Sequence, residues 1–494
     1  MIALLNPTSA RWSYRFPLSI MHVGAELEDK YPYEIFDQNI DKQSVKKIEQ
    51  LAASGELKYL AMTVMPGPQL MQAIPIAKHL KARFPNLTII WGGYFATLHA
   101  STVLKSGYVD YIVRGPGEKA FLELIDSLER NAPKNFEEIR SLSFVKNGGI
   151  IHNDQREPTH PDLWKPLPFH KIQPERYLNR TYLGTKTAAY YSSAGCPFLC
   201  GFCAIASIYQ ARWVARSPEL IVRDLEALQA KYGVNAIEFF DENFFTSEKR
   251  VHEFAERMIR SGLEISWWGE GRPDTVLAYS DETLRLMKQA GCKMIFFGAE
   301  SSSKETLEKM HKGGTQTPDT VLELAERLKH VGIAPEFSFV LGGPSDNVDA
   351  DIDRDVQFIR KVKAINPKAE IILYMYAPVV FEDSELSRLA KQHGFEFPKT
   401  LEDWMKPEWQ KFDMRKTPTI PWLKSHHHKK IRSFERVLNG YYPTATDVKL
   451  SEFRQAVLRS VSGWRYRSST YQFPLEIRVL FRLFRYRQPE LEGF

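Results

Sequence analysis

Three of the four cysteines in the chain lie within eight residues of one another. Cys196, Cys200 and Cys203 occur in the sequence Gly-Cys-Pro-Phe-Leu-Cys-Gly-Phe-Cys. Thiolates at this spacing can hold three irons of one 4Fe-4S cluster and leave the fourth iron without a protein ligand. Such an open iron can chelate the amino and carboxylate groups of S-adenosylmethionine, so that one electron enters the sulfonium and breaks its bond to the adenosyl carbon. The spacing therefore predicts a catalytic metal centre.

Two plainer interpretations of these cysteines remain open, a structural zinc knuckle and packing as small apolar side chains. Zinc would require a fourth ligand nearby, and no other Cys or His is close in the sequence. The remaining cysteine, Cys292, follows about ninety residues after the third and is expected in the core. The cluster interpretation is favoured.

Length, composition and net charge limit the number of domains and the classes of function that the chain could have. The 494 residues predict two or three domains, and 43% hydrophobic, 12% aromatic and 26% charged residues are typical of a globular protein. A net charge of +6, spread over 66 basic and 60 acidic residues, argues against a nucleic-acid partner. We expect neither a signal peptide nor a membrane-spanning helix, and clustered rather than paired cysteines predict a reducing cytoplasm.

The first part of the chain alternates short apolar runs with helical-period segments, which is typical of a parallel α/β sheet. We predict a flavodoxin-like, Rossmann-like doubly wound domain over residues 1–135, with its ligand beyond the carboxyl ends of the strands. A linker with a small hairpin at Asn147-Gly148-Gly149 is predicted for residues 136–185. The five predicted strands are Ile2 to Leu5, Tyr33 to Phe36, Tyr59 to Val64, Leu87 to Trp91 and Tyr111 to Val113.

Strands and helices alternate again over residues 186–390, which predicts a partial (β/α)6 TIM-type barrel that is open on one side. Residues 391–494 are predicted to be mostly helical. The six predicted barrel strands are Ala188 to Ser192, Ala236 to Phe240, Glu264 to Trp268, Met294 to Phe297, Glu336 to Leu341 and Ile371 to Tyr376.

The cysteine loop resembles that of the radical S-adenosylmethionine superfamily, and the resemblance continues to about residue 380. Phe202, before the third cysteine, fits the motif of this family. Glu238 to Phe244 is similar to the second-strand segment, whose acidic end, here Asp241 and Glu242, approaches the methionine amino group in the family. The other positions that resemble cofactor-binding positions lie at later strands: Arg272 and Trp268 at the third, Glu300 at the fourth, and Ser338 and Tyr376 at the adenine pocket.

The domain order is similar to that of the cobalamin-binding branch of this superfamily. Glycines at strand ends let the backbone lie against a flat macrocycle, where a side chain would clash. The resemblance implies a cobalamin site at the ends of the first, third, fourth and fifth strands. Its predicted residues are Pro7, Thr8, Arg11, Trp12, Thr63, Val64, Gly92, Gly93, Tyr94, Arg114, Gly115, Gly117 and Glu118.

The loop after the first strand departs from one family pattern. It lacks the Asp-x-His-x-x-Gly sequence that supplies a histidine to cobalt in the methionine-synthase type of site. The resemblance therefore implies cobalt without a protein histidine ligand, with Arg11 or Trp12 near its lower face.

The resemblance implies methylation of an unactivated carbon in a small-molecule or lipid-like substrate, through a 5′-deoxyadenosyl radical and methylcobalamin. Two other functions stay open. One is a non-methylating cyclase or rearrangement enzyme, similar to the anaerobic magnesium-protoporphyrin IX monomethyl ester cyclase. The other is a radical enzyme whose first domain is an empty docking module. A fourth possibility, an iron-sulfur electron carrier, would need four cluster ligands. An electron donor such as flavodoxin or ferredoxin is expected.

The end of the chain interleaves arginine with aromatic and aliphatic residues. A helix from Leu475 is predicted, which could touch a membrane surface peripherally or a lipid-like substrate. Packing on the barrel with extended arginines is the favoured interpretation. The run His426-His427-His428 is expected to be solvated.

Overall fold

The computed structural model describes residues 1–9, 14–130, 135–312, 315–380, 384–410, 412, 420–447 and 450–486. The strands in these ranges are β1 (Ile2–Asn6), β2 (Tyr33–Asp37), β3 (Tyr59–Thr63), β4 (Thr88–Gly92), β5 (Tyr111–Val113), β6 (Leu142–Lys146), β7 (Gly149–His152), β8 (Thr187–Tyr190), β9 (Ser193–Gly195), β10 (Trp213–Ala215), β11 (Ala236–Phe239), β12 (Ser266–Gly271), β13 (Cys292–Glu300), β14 (Ala334–Leu341) and β15 (Glu370–Met375).

The α-helices of the two α/β regions are α1 (Leu18–Leu27), α2 (Ser44–Ala53), α3 (Pro68–Arg83), α4 (Tyr94–Leu98), α5 (Ala100–Leu104), α6 (Glu118–Glu129), α7 (Ala204–Tyr209), α8 (Pro218–Tyr232), α9 (Glu248–Ser261), α10 (Pro273–Leu277), α11 (Asp281–Gln289), α12 (Lys304–Lys309), α13 (Pro318–Val331) and α14 (Val348–Ile365). The last helices are α15 (Glu385–Gln392), α16 (Leu401–Trp404), α17 (Ser425–Tyr441), α18 (Glu452–Arg467) and α19 (Leu475–Phe484).

The N-terminal sheet has the strand order β2-β1-β3-β4-β5, all parallel, which is the predicted flavodoxin-like order. Side chains of β1 alternate between the two faces of the sheet. Ile2 and Leu4 share a core with residues of α1 and α6, whereas Ala3 and Leu5 share the core that includes residues of α2 and α3. A strand buried on both faces reads as a continuous apolar run, which explains why the prediction located it.

The predicted hairpin is present as β6 and β7, but it lies in the first sheet and not in a free linker. Strand β6 pairs antiparallel with β5, with Tyr111 opposite Phe144, and extends the sheet to seven strands. Leu142 and Phe144 are buried against the core of the first domain. The turn residues were sufficient to predict the hairpin. The sequence of a short strand such as β6, however, does not indicate which sheet it will extend.

The second sheet has the order β15-β14-β13-β12-β11-β8, all parallel, so the partial barrel of six strands is confirmed. Its outer face packs on the surrounding helices through large side chains. Phe239 and Trp267, for example, both make edge-to-face ring contacts with Phe254 of α9. The alternate residues Glu238 and Trp268 therefore face the inside of the barrel.

The antiparallel ribbon of β9 and β10 was missed by the prediction. Each strand has three residues, too few to show an alternating pattern. The helical character predicted for the last hundred residues is confirmed by α15 to α19, in which α17, α18 and α19 pack together. No helix within the described ranges is both long enough and apolar enough to cross a bilayer.

Candidate active site

The cysteine loop follows β9 and leads into α7, after which the chain returns to pair with β9 as β10. Gly195 pairs with Trp213, and the three cysteines lie between these two strands, immediately before α7. Gly195 has a φ of +84°, and a Cβ there would lie 2.2 Å from the carbonyl oxygen of Arg212. Only glycine combines that backbone angle with such a close approach. The loop is therefore closed at its base by a residue that cannot be exchanged without strain.

Two thiols of this loop, those of Cys196 and Cys203, have raised pKa values. Burial raises the pKa of Cys203 to about 12, and it also raises the pKa of Cys196. Because the thiolate is the form that binds iron, a cluster bound by these cysteines would have to displace their protons. The close spacing of the three sulfurs in one loop fits a 4Fe-4S cluster.

Two nitrogen donors approach the cysteine sulfurs. Nη1 of Arg272 lies 3.5 Å from Sγ of Cys200, and Nδ2 of Asn243 lies 3.9 Å from Sγ of Cys196. Donors to cluster sulfurs stabilise their negative charge and tune the reduction potential. The sequence predicted Arg272 as a cofactor-binding residue and missed Asn243, although Asn243 directly follows the acidic pair at the end of the second barrel strand.

Arg272 is fixed by three further contacts. It pairs with Asp274 at 2.8 Å, donates to the backbone oxygen of Lys312, and lies over the ring of Phe198 at 4.0 Å from the centroid. Both members of the ion pair are largely buried. A planar guanidinium held on several sides can present one nitrogen to a sulfur without losing much side-chain entropy.

The two acidic residues after β11, Asp241 and Glu242, make different contacts. Asp241 is fully buried and accepts bonds from the backbone nitrogen and hydroxyl of Ser192 at 3.1 and 2.9 Å, and from the hydroxyl of Ser193. These hydrogen bonds hold Ser192 and Ser193, the residues that lead to the cysteine loop, in place. Glu242 accepts from the backbone nitrogen of Gly195 at 3.2 Å, and burial raises its pKa to about 7.

Asn243 also offers an acceptor to this region. Its Oδ1 is buried and has no hydrogen-bond partner among the described residues. A buried oxygen without a donor is costly, which makes it suited to a ligand group that donates. An ammonium group of the kind that S-adenosylmethionine carries would fit this acceptor.

At the end of β13, Glu300 is held by a cation that the sequence analysis did not identify. Glu300 has a φ of +63° and pairs with Lys312 at 3.2 Å, with both side chains buried. A Cβ on Gly298 would lie 2.1 Å from the Glu300 carboxylate, so the glycine makes room for the pair. The ammonium of Lys312 also lies 5.7 Å from the ring of Phe202. Lys312 follows a short helix rather than a strand, so the predicted strand ends did not point to it.

The two residues predicted at the adenine pocket are more restrained than expected. The Ser338 hydroxyl donates to the backbone oxygen of Phe297 at 3.4 Å. Tyr376 is buried and packs against Trp422, whose ring nitrogen donates to the backbone oxygen of Gly342 at 3.0 Å. Ser338 lies within β14, three residues before its end, and Tyr376 directly follows β15.

Those residues predicted to bind cobalamin that the structure describes lie at one edge of the first sheet, as the strand order requires. Gly93 has a φ of +87°, and a Cβ there would lie 2.9 Å from the backbone nitrogen of Val64 and from the hydroxyl of Thr63. The backbone N–H of Thr8 donates a hydrogen bond to Oε1 of Gln38, at 3.2 Å. The glycines at this edge are half-buried, and Gly93 lets the backbone pack closely on Val64. Backbone without side chains at these positions is compatible with a flat macrocycle. Pro7, Gly92, Tyr94, Gly115, Gly117 and Glu118 occur at the same carboxyl ends of the strands.

The side chain of Arg114 points away from the predicted cobalamin site. The guanidinium of Arg114 donates to the backbone oxygen of Asn153, next to the hairpin. The extra strands therefore engage this side chain, which a five-strand prediction could not foresee. Arg11 and Trp12 lie outside the described residues.

The edge of the first sheet meets the helix that follows the cysteines. Helix α4, after β4, packs against α7. Gly115, after β5, would place a Cβ 3.6 Å from the backbone oxygen of Ile208, and Tyr209 at the end of α7 is a hydrogen-bond partner of Glu242. One short helix thus separates the cysteine loop from the glycine-rich edge.

The histidine run is not simply solvated. His427 is buried, and its Nε2 and that of His426 lie 3.3 and 3.1 Å from Oδ2 of Asp349. The three ligand atoms lie within 4.8 Å of one another, a spacing that a metal could bridge. However, Nδ1 of His427 accepts the backbone N–H of Lys424, which places the proton of neutral His427 on Nε2, facing Asp349. This arrangement favours hydrogen bonds between α14 and α17 over a metal site.

Two family models match the chain. Residues 190–359 match the radical SAM superfamily, and residues 14–125 match the B12 binding domain. An uncharacterized methyltransferase of Pyrococcus horikoshii is 27% identical over 70% of this chain and 73% of its own. The anaerobic magnesium-protoporphyrin IX monomethyl ester cyclase of Synechocystis sp. is 30% identical over 58% of this chain, and the match spans 54% of the cyclase.

A solved structure shares the whole fold. The radical S-adenosylmethionine methyltransferase TsrM from Kitasatospora setae superposes with a TM-score of 0.67 at 17% identity, over 98% of both chains. The expected cofactors, a 4Fe-4S cluster, S-adenosylmethionine and cobalamin, agree with the two matched domains. The chain is therefore a radical SAM enzyme that carries a B12 binding domain before its radical SAM domain, and it is similar to methyltransferases.

Proposed function

We propose that this enzyme transfers a methyl group to an unactivated carbon of a small-molecule or lipid-like substrate. The observation that carries the proposal is the contact of α4 and Gly115 with α7, directly after Cys203. Methyl transfer to a carbon radical requires both reactive centres to reach one substrate atom. When bound, the cluster with S-adenosylmethionine would supply a 5′-deoxyadenosyl radical and cobalamin would supply the methyl group.

The residues of this chain have separate tasks in that proposal. Cys196, Cys200 and Cys203 would hold the cluster, and Arg272 would stabilise the charge on its sulfurs. Glu242 and the partnerless oxygen of Asn243 would accept the ammonium of S-adenosylmethionine, as the buried position of both acceptors supports.

The remaining predicted positions belong to the same proposal. Asp241 would act by positioning the cysteine loop, since its oxygens are taken by Ser192 and Ser193. Glu300, together with Lys312, would line the nucleoside end of the site. The predicted cobalamin positions are Pro7, Thr8, Arg11, Trp12, Thr63, Val64, Gly92, Gly93, Tyr94, Arg114, Gly115, Gly117 and Glu118, of which Arg114 has the weakest support.

The proposed partners are a small-molecule substrate and a one-electron donor of the flavodoxin or ferredoxin class. We propose no nucleic-acid partner, because basic and acidic residues nearly balance over the chain. A non-methylating cyclase is the second candidate function, favoured by the 30% identity to the cyclase.

Product analysis separates these functions. The full chain, reconstituted without oxygen with iron, sulfide and cobalamin, is incubated with S-adenosylmethionine, a reductant and candidate substrates. S-adenosylhomocysteine formed together with 5′-deoxyadenosine is expected for methyl transfer, whereas 5′-deoxyadenosine alone would contradict it and support the cyclase function. Cys200→Ala is expected to abolish both products, and Cys292→Ala is the matched control that keeps them, because Cys292 lies in the core away from the loop.

A further inference from the structure

The last two helices carry an exposed apolar surface, which we call the C-terminal apolar face. Its side chains are 51% to 76% exposed. Leu475, Val479 and Leu483 are spaced by four residues on α19 and therefore share one side of the helix, while Ile477 on the other side is fully buried. The complete face consists of Phe453, Trp464, Phe473, Leu475, Val479 and Leu483.

Contacts between α18 and α19 bring these side chains into one strip. Arg465 of α18 pairs with Glu476 at the start of α19, and Arg454 lies 5.7 Å from the ring of Phe484 at its end. The helices are therefore antiparallel, with Trp464 near the Leu475 end and Phe453 near the Leu483 end. Phe453 and Trp464 are eleven residues apart, about three helical turns, and so lie on the same side of α18.

The charge around this strip is mostly positive. Residues 450–486 contain seven arginines and two glutamates, with neither lysine nor aspartate. Arg478 and Arg482 follow Leu475 and Val479 by three residues each, so they border the apolar strip, and both are exposed. One of the two glutamates, Glu476, is already paired with Arg465.

The combination of an exposed apolar strip with bordering arginines indicates what kind of surface it would bind. An apolar strip bordered by arginines is the pattern of a helix that lies in the interface of a bilayer with anionic headgroups. A second copy of the chain would bring arginines against arginines, which opposes association through this face. The sequence favours packing of this helix on the barrel, but α19 packs on α17 and α18, with Ile477 close to Gly440 of α17. The strip stays exposed in the described part of the chain.

We propose that the C-terminal apolar face docks this enzyme on an anionic lipid surface. Apolar side chains would enter the boundary between headgroups and acyl chains, and the bordering arginines would pair with lipid phosphates. The docking requires neither the cluster nor cobalamin, so it does not depend on the proposed reaction.

Vesicle co-sedimentation of the full chain tests the proposal without any turnover. Phosphatidylcholine vesicles are compared with vesicles of phosphatidylcholine and phosphatidylglycerol in equal parts. Binding is expected to the anionic vesicles and to weaken at high salt, because screening shortens the range of the charges to about 3 Å at 1 M. The triple variant Leu475→Gln, Val479→Gln and Leu483→Gln is expected to lose at least about tenfold in vesicle affinity, since the apolar strip supplies the insertion.

The matched control replaces three exposed apolar residues outside the C-terminal apolar face with glutamine. Val145→Gln, Leu163→Gln and Ile259→Gln alter exposed apolar side chains outside the face and are expected to leave binding unchanged. Arg478→Gln with Arg482→Gln should remove the preference for anionic lipid. Equal binding by the triple variant and the wild type would overturn the proposal. So would a lipid-free dimer that dissociates in the triple variant, because a second copy would then occupy the face.

Discussion

Nε of Arg15 lies 3.0 Å from Oε2 of Glu238, 223 residues further along the chain. Arg15 belongs to the segment between β1 and α1, which contains the loop predicted at the lower face of cobalamin. Glu238 lies on the inner side of barrel strand β11, and the guanidinium also lies 4.7 Å from the ring of Phe240. This ion pair therefore joins the first domain to the inner wall of the barrel.

The Arg15–Glu238 pair is expected to contribute to the stability of the domain interface. Its side chains are only 29% and 14% exposed, so solvent screens it incompletely. A double-mutant cycle of Arg15→Gln and Glu238→Gln, measured by urea unfolding, should give a coupling energy of about 1 kcal/mol. The matched cycle on Lys78 and Glu402, an exposed pair, should give a coupling near zero. Equal coupling in both cycles would show that Arg15 does not fasten the domains.

Gly195→Ala should destabilise the protein more than a positive φ alone can. The new methyl group would lie 2.2 Å from the Arg212 oxygen, in addition to the strain of alanine at +84°. Gly55→Ala is the matched control, because Gly55 has a φ of +78° and nothing within 4 Å of the added methyl group. We expect a loss of about 1 kcal/mol for Gly55→Ala and at least about 3 kcal/mol for Gly195→Ala. Similar melting temperatures for the two variants would contradict a tightly closed loop base.

Arg272→Gln should lower the reduction potential of the reconstituted cluster. Reduction adds negative charge, which the guanidinium 3.5 Å from the Cys200 sulfur stabilises. The variant also leaves Asp274 without its cation, and this adds to the effect. Asp274→Asn should shift the potential upward, because it removes an opposing negative charge. The measurement is a redox titration followed by electron paramagnetic resonance, and shifts of the same sign in both variants would refute an electrostatic role.

Burial of His99 should make the protein sensitive to acid. Desolvation lowers its pKa from 6.5 to about 3 in the folded chain. Between these values the unfolded chain binds a proton that the folded chain does not, so stability falls as pH decreases from about 6.5 to 3, by up to about 1.4 kcal/mol per pH unit.

The variant His99→Phe keeps an aromatic ring stacked on Phe95 and edge-to-face with Trp404, and it removes the titration. Urea unfolding at several pH values should therefore show a shallower loss of stability in acid than the wild type. His330→Phe, at an exposed position of α13, should follow the wild-type profile. Parallel profiles for all three proteins would mean that another group controls acid unfolding.

The amino-acid sequence by itself determined the architecture and the metal-binding loop. Alternating apolar runs identify parallel strands because each such strand is buried on both faces, and all eleven predicted strands overlap observed ones. The cysteine motif is local, with all three cysteines in one loop, so spacing alone was sufficient to predict a cluster site at Cys196, Cys200 and Cys203.

The tertiary structure decided what surrounds those cysteines. Arg15, Asn243 and Lys312 come from separate strands and loops, and their contacts with Glu238, Cys196 and Glu300 depend on how sheets pack. The same packing turned Asp241 toward Ser192 and Arg114 toward the added hairpin. Patterns of hydrophobicity record which face of an element is buried, but they carry no information about which distant polar group that face will meet.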